Sequence, residues 1–113
     1  MQWTVEFFIN HDNSKPVKVW LLELEENTRS KLLRNIDLLE RLGLGIREPY
    51  VKHLEGKLYE LRAKDYKGIY RIIYVAHTGR KFILLHGFMK KTQKTPRKEL
   101  AIARERLKEL ENE

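Results

Sequence analysis

A chain of 113 residues with 42% hydrophobic content can pack one core but is short for two, and it is too apolar for wholesale disorder. Its 23 Lys and Arg against 16 Asp and Glu leave a net charge of +7, which favours a polyanionic partner without choosing among RNA, DNA, an anionic membrane and an acidic protein. The absence of cysteine excludes disulfides, thiolate metal sites and cysteine nucleophiles, and makes the cytoplasm the expected compartment.

The first residues have no basic stretch leading into an apolar run, so no secretory signal is expected, and no stretch approaches the ~18 apolar residues of a membrane span. Trp3 to Ile9 is β-branched and aromatic with every odd position apolar, which predicts a strand with one buried face. Ser14 as cap and Pro16 in the first turn predict a helix with Val17, Trp20, Leu21 and Leu24 on one stripe. Asn27-Thr28 predicts a second cap. Beyond it a longer amphipathic helix turns Leu32, Leu33, Ile36 and Leu39 inward and stops at Gly43. The two helices can pack as an antiparallel hairpin, although their junction is short.

Gly43 to Gly56, with three glycines and Pro49, reads as a loop. Three strands follow, at Lys57–Arg62, Gly68–Val75 and Lys81–Phe88. Their short connections force antiparallel pairing, because a parallel crossover needs about a dozen residues. Residues 89–96 leave the sheet, and Thr95-Pro96 is expected to cap a last helix with Leu100, Ala103, Leu107 and Leu110 on its apolar stripe. The expectation is one α+β domain over 1–113, a mostly antiparallel sheet of about four strands with an N-terminal helix pair and a C-terminal helix.

Chemistry concentrates late in the chain. Between Gly79 and Lys98 there are seven basic residues (Arg80, Lys81, Lys90, Lys91, Lys94, Arg97, Lys98) and no acidic one. A strand end holds such cations rigidly enough to meet phosphates, although a solubilising charge run gives the same composition. Two arginines sit where a solvating residue would not. Arg62 ends one strand, and Arg71 lies inside the most apolar one, on the face opposite Tyr70, Ile72 and Tyr74. If those three contact the helices, Arg71 emerges on an uncovered face, where Arg62 and the Lys90–Lys91 end can join it. Glu60 shares the Arg62 face and offers a bland alternative, a structural salt bridge. His86, in an apolar strand, reads as structural and His53 as a loop residue. Their spacing makes no metal site, and no cofactor is expected. Of Tyr59, Tyr70 and Tyr74, two read as core and Tyr59 stays open as a stacking surface for bases.

The blocks Lys57-Leu58-Tyr59-Glu60-Leu61-Arg62, Tyr70-Arg71-Ile72-Ile73-Tyr74 and Leu84-Leu85-His86-Gly87-Phe88-Met89-Lys90-Lys91-Thr92-Gln93-Lys94-Thr95-Pro96 resemble the phage-derived, HigB-like branch of the RelE toxin superfamily, from about Val5 to Leu107. The resemblance implies a RelE-like fold and the toxin of a type II toxin–antitoxin pair. It implies ribosome-dependent mRNA endonuclease activity, and a helix-turn-helix antitoxin that forms a hetero-oligomer with the toxin. Carried over by motif, the catalytic residues fall on Arg62, Arg71 and Lys90 or Lys91, with Glu60 as candidate base. Lys57, Tyr59, Lys94 and Arg97 are the expected RNA-binding residues around them. The implied reaction is metal-independent: the 2′-hydroxyl attacks the adjacent phosphate, Arg71 stabilises the phosphorane, Arg62 orients it and a lysine protonates the leaving oxygen. After the last strand, where some superfamily members place a tyrosine or histidine, this chain has Lys, Thr and Gln. That departure motivates an alternative, a catalytically inactive RelE-fold module that binds RNA or protein. A duplex-DNA binder ranks below both, since no helix-turn-helix is readable. A membrane-surface role finds only a modest C-terminal stripe without aromatics.

Overall fold

The computed structural model describes residues 2–90 and 94–113. In chain order these form β1 (Thr4–Phe7), α1 (Pro16–Leu22), α2 (Glu26–Leu42), a 3-10 turn at Gly43–Gly45, β2 (Val51–Glu55), β3 (Leu58–Lys64), β4 (Ile69–His77), β5 (Lys81–Lys90) and α3 (Arg97–Glu111). The sheet order is β1-β5-β4-β3-β2, with β1 parallel to β5 and the other pairs antiparallel. The architecture is therefore α+β and compatible with a RelE-like fold.

The expected four strands are five. The extra one, β2, lies in the stretch read as a loop. It hid because it is a short edge strand beside Pro49 with Lys52 and His53 exposed, so little of it alternates in the way a half-buried strand does. The expected N-terminal helix pair forms. α1 packs on β5 and β1, and α2 on β3 and β1, so the sheet rather than a hairpin seam buries their apolar stripes.

Both sheet faces are covered. Val17 and Leu21 of α1 and Leu32 and Leu39 of α2 meet Leu61, Ala63, Tyr70, Ile72, Tyr74, Phe82 and Leu84. On the other face Ala103 and Leu110 of α3 meet Leu58, Ile73, Val75, Ile83, Leu85 and Phe88. β4 runs between these layers, which is why its side chains are buried without alternation from Ile69 to Val75. The expected alternation breaks at one place in β5. The ladder shifts register between the pairs Ile73–His86 and Tyr74–Leu84, and Leu85 and His86 both turn toward α3.

None of the three helices gains the side-chain capping bond expected of it. Ser14 donates its hydroxyl to Asp12 Oδ1 at 2.6 Å, and Lys15 takes the cap position of α1. Thr28 lies inside α2 and donates to Asp65 Oδ2 at 2.7 Å. Thr95 reaches across to the sheet, leaving Pro96 as the cap residue of α3. In each case a turn or tertiary acceptor wins over the local backbone.

Gly87 faces α1. A Cβ built there would stand 2.4 Å from the Trp20 ring, so only glycine lets the indole lie flat on β5. Gly87→Ala is expected to cost about 1–3 kcal/mol of stability through overpacking, read as a lower urea midpoint with altered near-UV tryptophan dichroism.

Candidate active site

Antiparallel pairing of β3 with β4 makes Arg62 and Arg71 direct cross-strand partners. Two guanidiniums so placed repel, and they are tolerated because Glu60, two residues before Arg62, projects from the same face. Glu60 Oε1 accepts from Arg62 Nε at 3.0 Å and stands 3.5 Å from Arg71 Nη1. Its other oxygen accepts from the Thr95 hydroxyl at 2.7 Å, and Arg71 Nη1 donates weakly to that hydroxyl at 3.4 Å. Glu60 and Arg71 are fully buried, while the Arg62 side chain is 20% exposed. From behind, Asn35 of α2 donates to the Arg62 carbonyl at 2.7 Å and fixes the strand.

One carboxylate against two guanidiniums leaves a positive excess in a low-dielectric setting. Burial lowers the Arg71 pKa, Glu60 opposes that shift and Arg62 adds to it. An arginine stays protonated through such a shift, so the site presents fixed positive charge, suited to a phosphate.

Arg71 does lie on the face opposite Tyr70, Ile72 and Tyr74, but that face is not open. α3 and Thr95 cover it. Lys90, at the end of β5 opposite Ile69, follows Phe88 by two residues and so shares the Arg71 face. Lys94 lines a groove of about 370 Å3 with Lys52, His53, Leu54, Thr95 and Leu100, directly beside the cluster. Arg97 is exposed in the first turn of α3. Two expected RNA-binding residues are placed elsewhere. Lys57 pairs with Glu111 at 2.7 Å at the far end of α3, and Tyr59 stacks on Tyr74 on the opposite sheet face. Lys91 lies outside the described residues. Among the described residues no group of three His, Asp or Glu side chains gathers to hold a metal ion, and no helix is long and apolar enough to cross a membrane.

Sequence reasoning missed Thr95 as a site residue, because a Thr before Pro at a helix start reads as a cap. His86 was expected to be structural, but its partners were not foreseen. His86 Nε2 meets Glu99 Oε1 at 2.8 Å, and Arg106 donates to His86 Nδ1 at 3.3 Å and to the Leu85 carbonyl at 2.8 Å. Acceptance at Nδ1 places the ring proton on Nε2, which donates to Glu99. The ring also stacks on Phe88, the cross-strand partner of Arg71.

The chain matches the model of the family described as phage derived protein Gp49-like (DUF891) over residues 19–108, well over half its length. This chain belongs to that family. The Gp49-like proteins are RelE/HigB-like and toxin-type. No curated protein matches the sequence.

Burial, the largest effect, depresses the His86 pKa; Arg106 depresses it further, and Glu99 opposes both. A depressed folded-state pKa favours folding above the unfolded imidazole pKa of ~6.5 and withdraws that support as pH falls through the folded value. The urea midpoint is therefore expected to fall as pH drops below ~6.5, and His86→Gln is expected to flatten that acid-side slope relative to the wild type.

Proposed function

We propose that this Gp49-like protein is the toxin of a type II toxin–antitoxin pair of the HigB branch, and that it cleaves translated mRNA. The observation that carries the reading is the Glu60-centred cluster. Side chains from β3, β4 and the lead into α3 meet at one carboxylate with a surplus guanidinium charge. Lys90 stands on the same face, and Lys52 and Lys94 line the adjoining groove. Family membership supports the toxin class, and the net charge of +7 supports an RNA substrate.

In the proposed reaction the 2′-hydroxyl loses its proton to Glu60 as its oxygen bonds to the adjacent phosphorus. Arg71 stabilises the extra charge of the phosphorane, and Arg62 holds a non-bridging oxygen. The bond from phosphorus to the 5′-oxygen breaks, Lys90 delivers a proton to that oxygen, and the products are a 2′,3′-cyclic phosphate and a 5′-hydroxyl. Lys94 and Arg97 hold flanking phosphates in this reading. The ribosome presents the message and supplies part of the geometry, and a helix-turn-helix antitoxin restrains the toxin in a hetero-oligomer.

A second reading, a binding module without catalysis, draws on one observation. Arg71 and Glu60 are fully buried, as a purely structural ion pair would be.

Expression in a bacterial host separates the two. The toxin reading expects growth arrest and fragments of translated messages ending in 2′,3′-cyclic phosphate. Arg62→Ala, at a partly exposed position, should cut that cleavage by roughly a hundredfold or more while the protein stays folded. Wild-type protein that accumulates harmlessly and leaves translated messages intact would favour the binding module.

A further inference from the structure

The buried arginine poses a physical problem for any phosphate. A guanidinium with no solvent exposure cannot touch a polynucleotide until whatever covers it moves. Part of that cover is Thr95, which lies 3.4 Å from Arg71 Nη1 and leads into a helix packed on β4 and β5. We propose that α3 is a hinged strap and that the Thr95 hydroxyl occupies, in the closed molecule, the place of the substrate ribose hydroxyl. This inference rests on the nuclease reading of the Glu60 cluster.

The match is one of hydrogen-bond roles. Thr95 Oγ1 donates to Glu60 Oε2 at 2.7 Å while it lies 3.4 Å from Arg71 Nη1. A ribose 2′-hydroxyl poised for attack makes the same pair of contacts: its proton faces the carboxylate base, and its oxygen lies beside the cation that receives the phosphorane. Thr95 thus satisfies the buried carboxylate in the absence of RNA. It also keeps other hydroxyls out.

The strap is fastened in a way that permits release. Its apolar seat is narrow, with Ala103 and Leu110 buried and Leu100 and Leu107 only partly so. Its other fastenings are polar. Glu99 holds His86 at 2.8 Å, Arg106 Nη1 holds the Leu85 carbonyl at 2.8 Å, Arg104 Nε holds Glu55 at 2.7 Å, and Glu111 holds Lys57 at 2.7 Å. The last two are exposed pairs, which contribute little net stability. No side chain caps the first turn of α3, so lifting that end breaks no capping bond, only the Glu99–His86 pair and the Thr95 hydrogen bond to Glu60. The sheet beneath keeps its other face packed against α1 and α2, so the strap can open without dissolving the core. RNA that contacts Arg71 only in the open form shifts the population toward it.

The native chain has no cysteine, so single thiols report opening cleanly. Ala103→Cys places a thiol under α3, and Leu84→Cys places one fully buried on the opposite sheet face as a control for global unfolding. Labelling with a thiol reagent should be at least about tenfold faster at position 103 than at position 84. Adding Thr95→Val, which keeps the shape and removes the hydroxyl, should speed labelling at 103 severalfold, leave 84 unchanged and raise RNA cleavage; adding Thr95→Ser should restore wild-type labelling. Equal labelling rates at 103 and 84 would show that α3 leaves only on global unfolding, and would overturn the strap whatever the cleavage data. Faster labelling with unchanged or reduced cleavage in an active enzyme would overturn the hydroxyl's part. Fast, selective labelling in a protein that never cuts RNA would leave the opening intact and remove the nuclease reading instead.

Discussion

Glu60 holds together parts of the chain that would otherwise repel. Its carboxylate, buried in the middle of the sheet, is what allows two arginines to stand as cross-strand partners on β3 and β4. Coulomb repulsion between such guanidiniums is weak in water and severe in a protein interior, so the carboxylate must be present, charged and close. Breaking a buried ion set by removing one member typically costs about 3–5 kcal/mol, a large share of an ordinary domain's stability. The same oxygen pair also recruits Thr95 and thereby sets where α3 begins. A motif that reads as Glu-x-Arg in one strand and a lone Arg in the next is, in three dimensions, one electrostatic unit.

That unit has two uses in this account, and they compete. A cluster closed by Thr95 is a good structural element, with every oxygen of the carboxylate engaged. A cluster opened to RNA is a good catalytic one, because preorganised positive charge in a dry site stabilises a phosphorane better than solvated charge does. The polar fastenings of α3 reconcile the two. They let the closed form protect a costly buried charge and still yield to a ligand that offers the arginines a phosphate.

The residues told much of this in advance, for reasons that can be named. β4 announced itself because it is buried on both faces and so reads as an unbroken apolar run, against which Arg71 stands out. The pairing of β3, β4 and β5 followed from connections too short for a crossover. β2 did not announce itself, being a short edge strand beside a proline. The bulge at Leu85 and His86 defeated simple alternation, which would have sent neighbouring residues to opposite faces. Thr95 was visible as a polar residue before a proline. Its partner, Glu60, lies 35 residues away, and only tertiary structure can bring the two together. The resemblance of the final basic block pointed to the family, yet Lys57 and Tyr59 show how proximity in sequence misleads. They lie just before Glu60 along the chain, but one is drawn off to Glu111 and the other lies on the opposite sheet face.

The most direct measurement is of the arginine Nε–H groups themselves, by 15N–1H NMR during titration with an RNA strand whose attacking 2′-hydroxyl has been removed. If the Glu60 cluster receives the phosphate, the Arg62 and Arg71 signals shift together and saturably, while that of Arg41, paired with Asp37 on α2 away from the cluster and from α3, stays in place. Saturating RNA that moves only surface lysine signals and leaves both Arg62 and Arg71 unmoved would contradict the account at its centre.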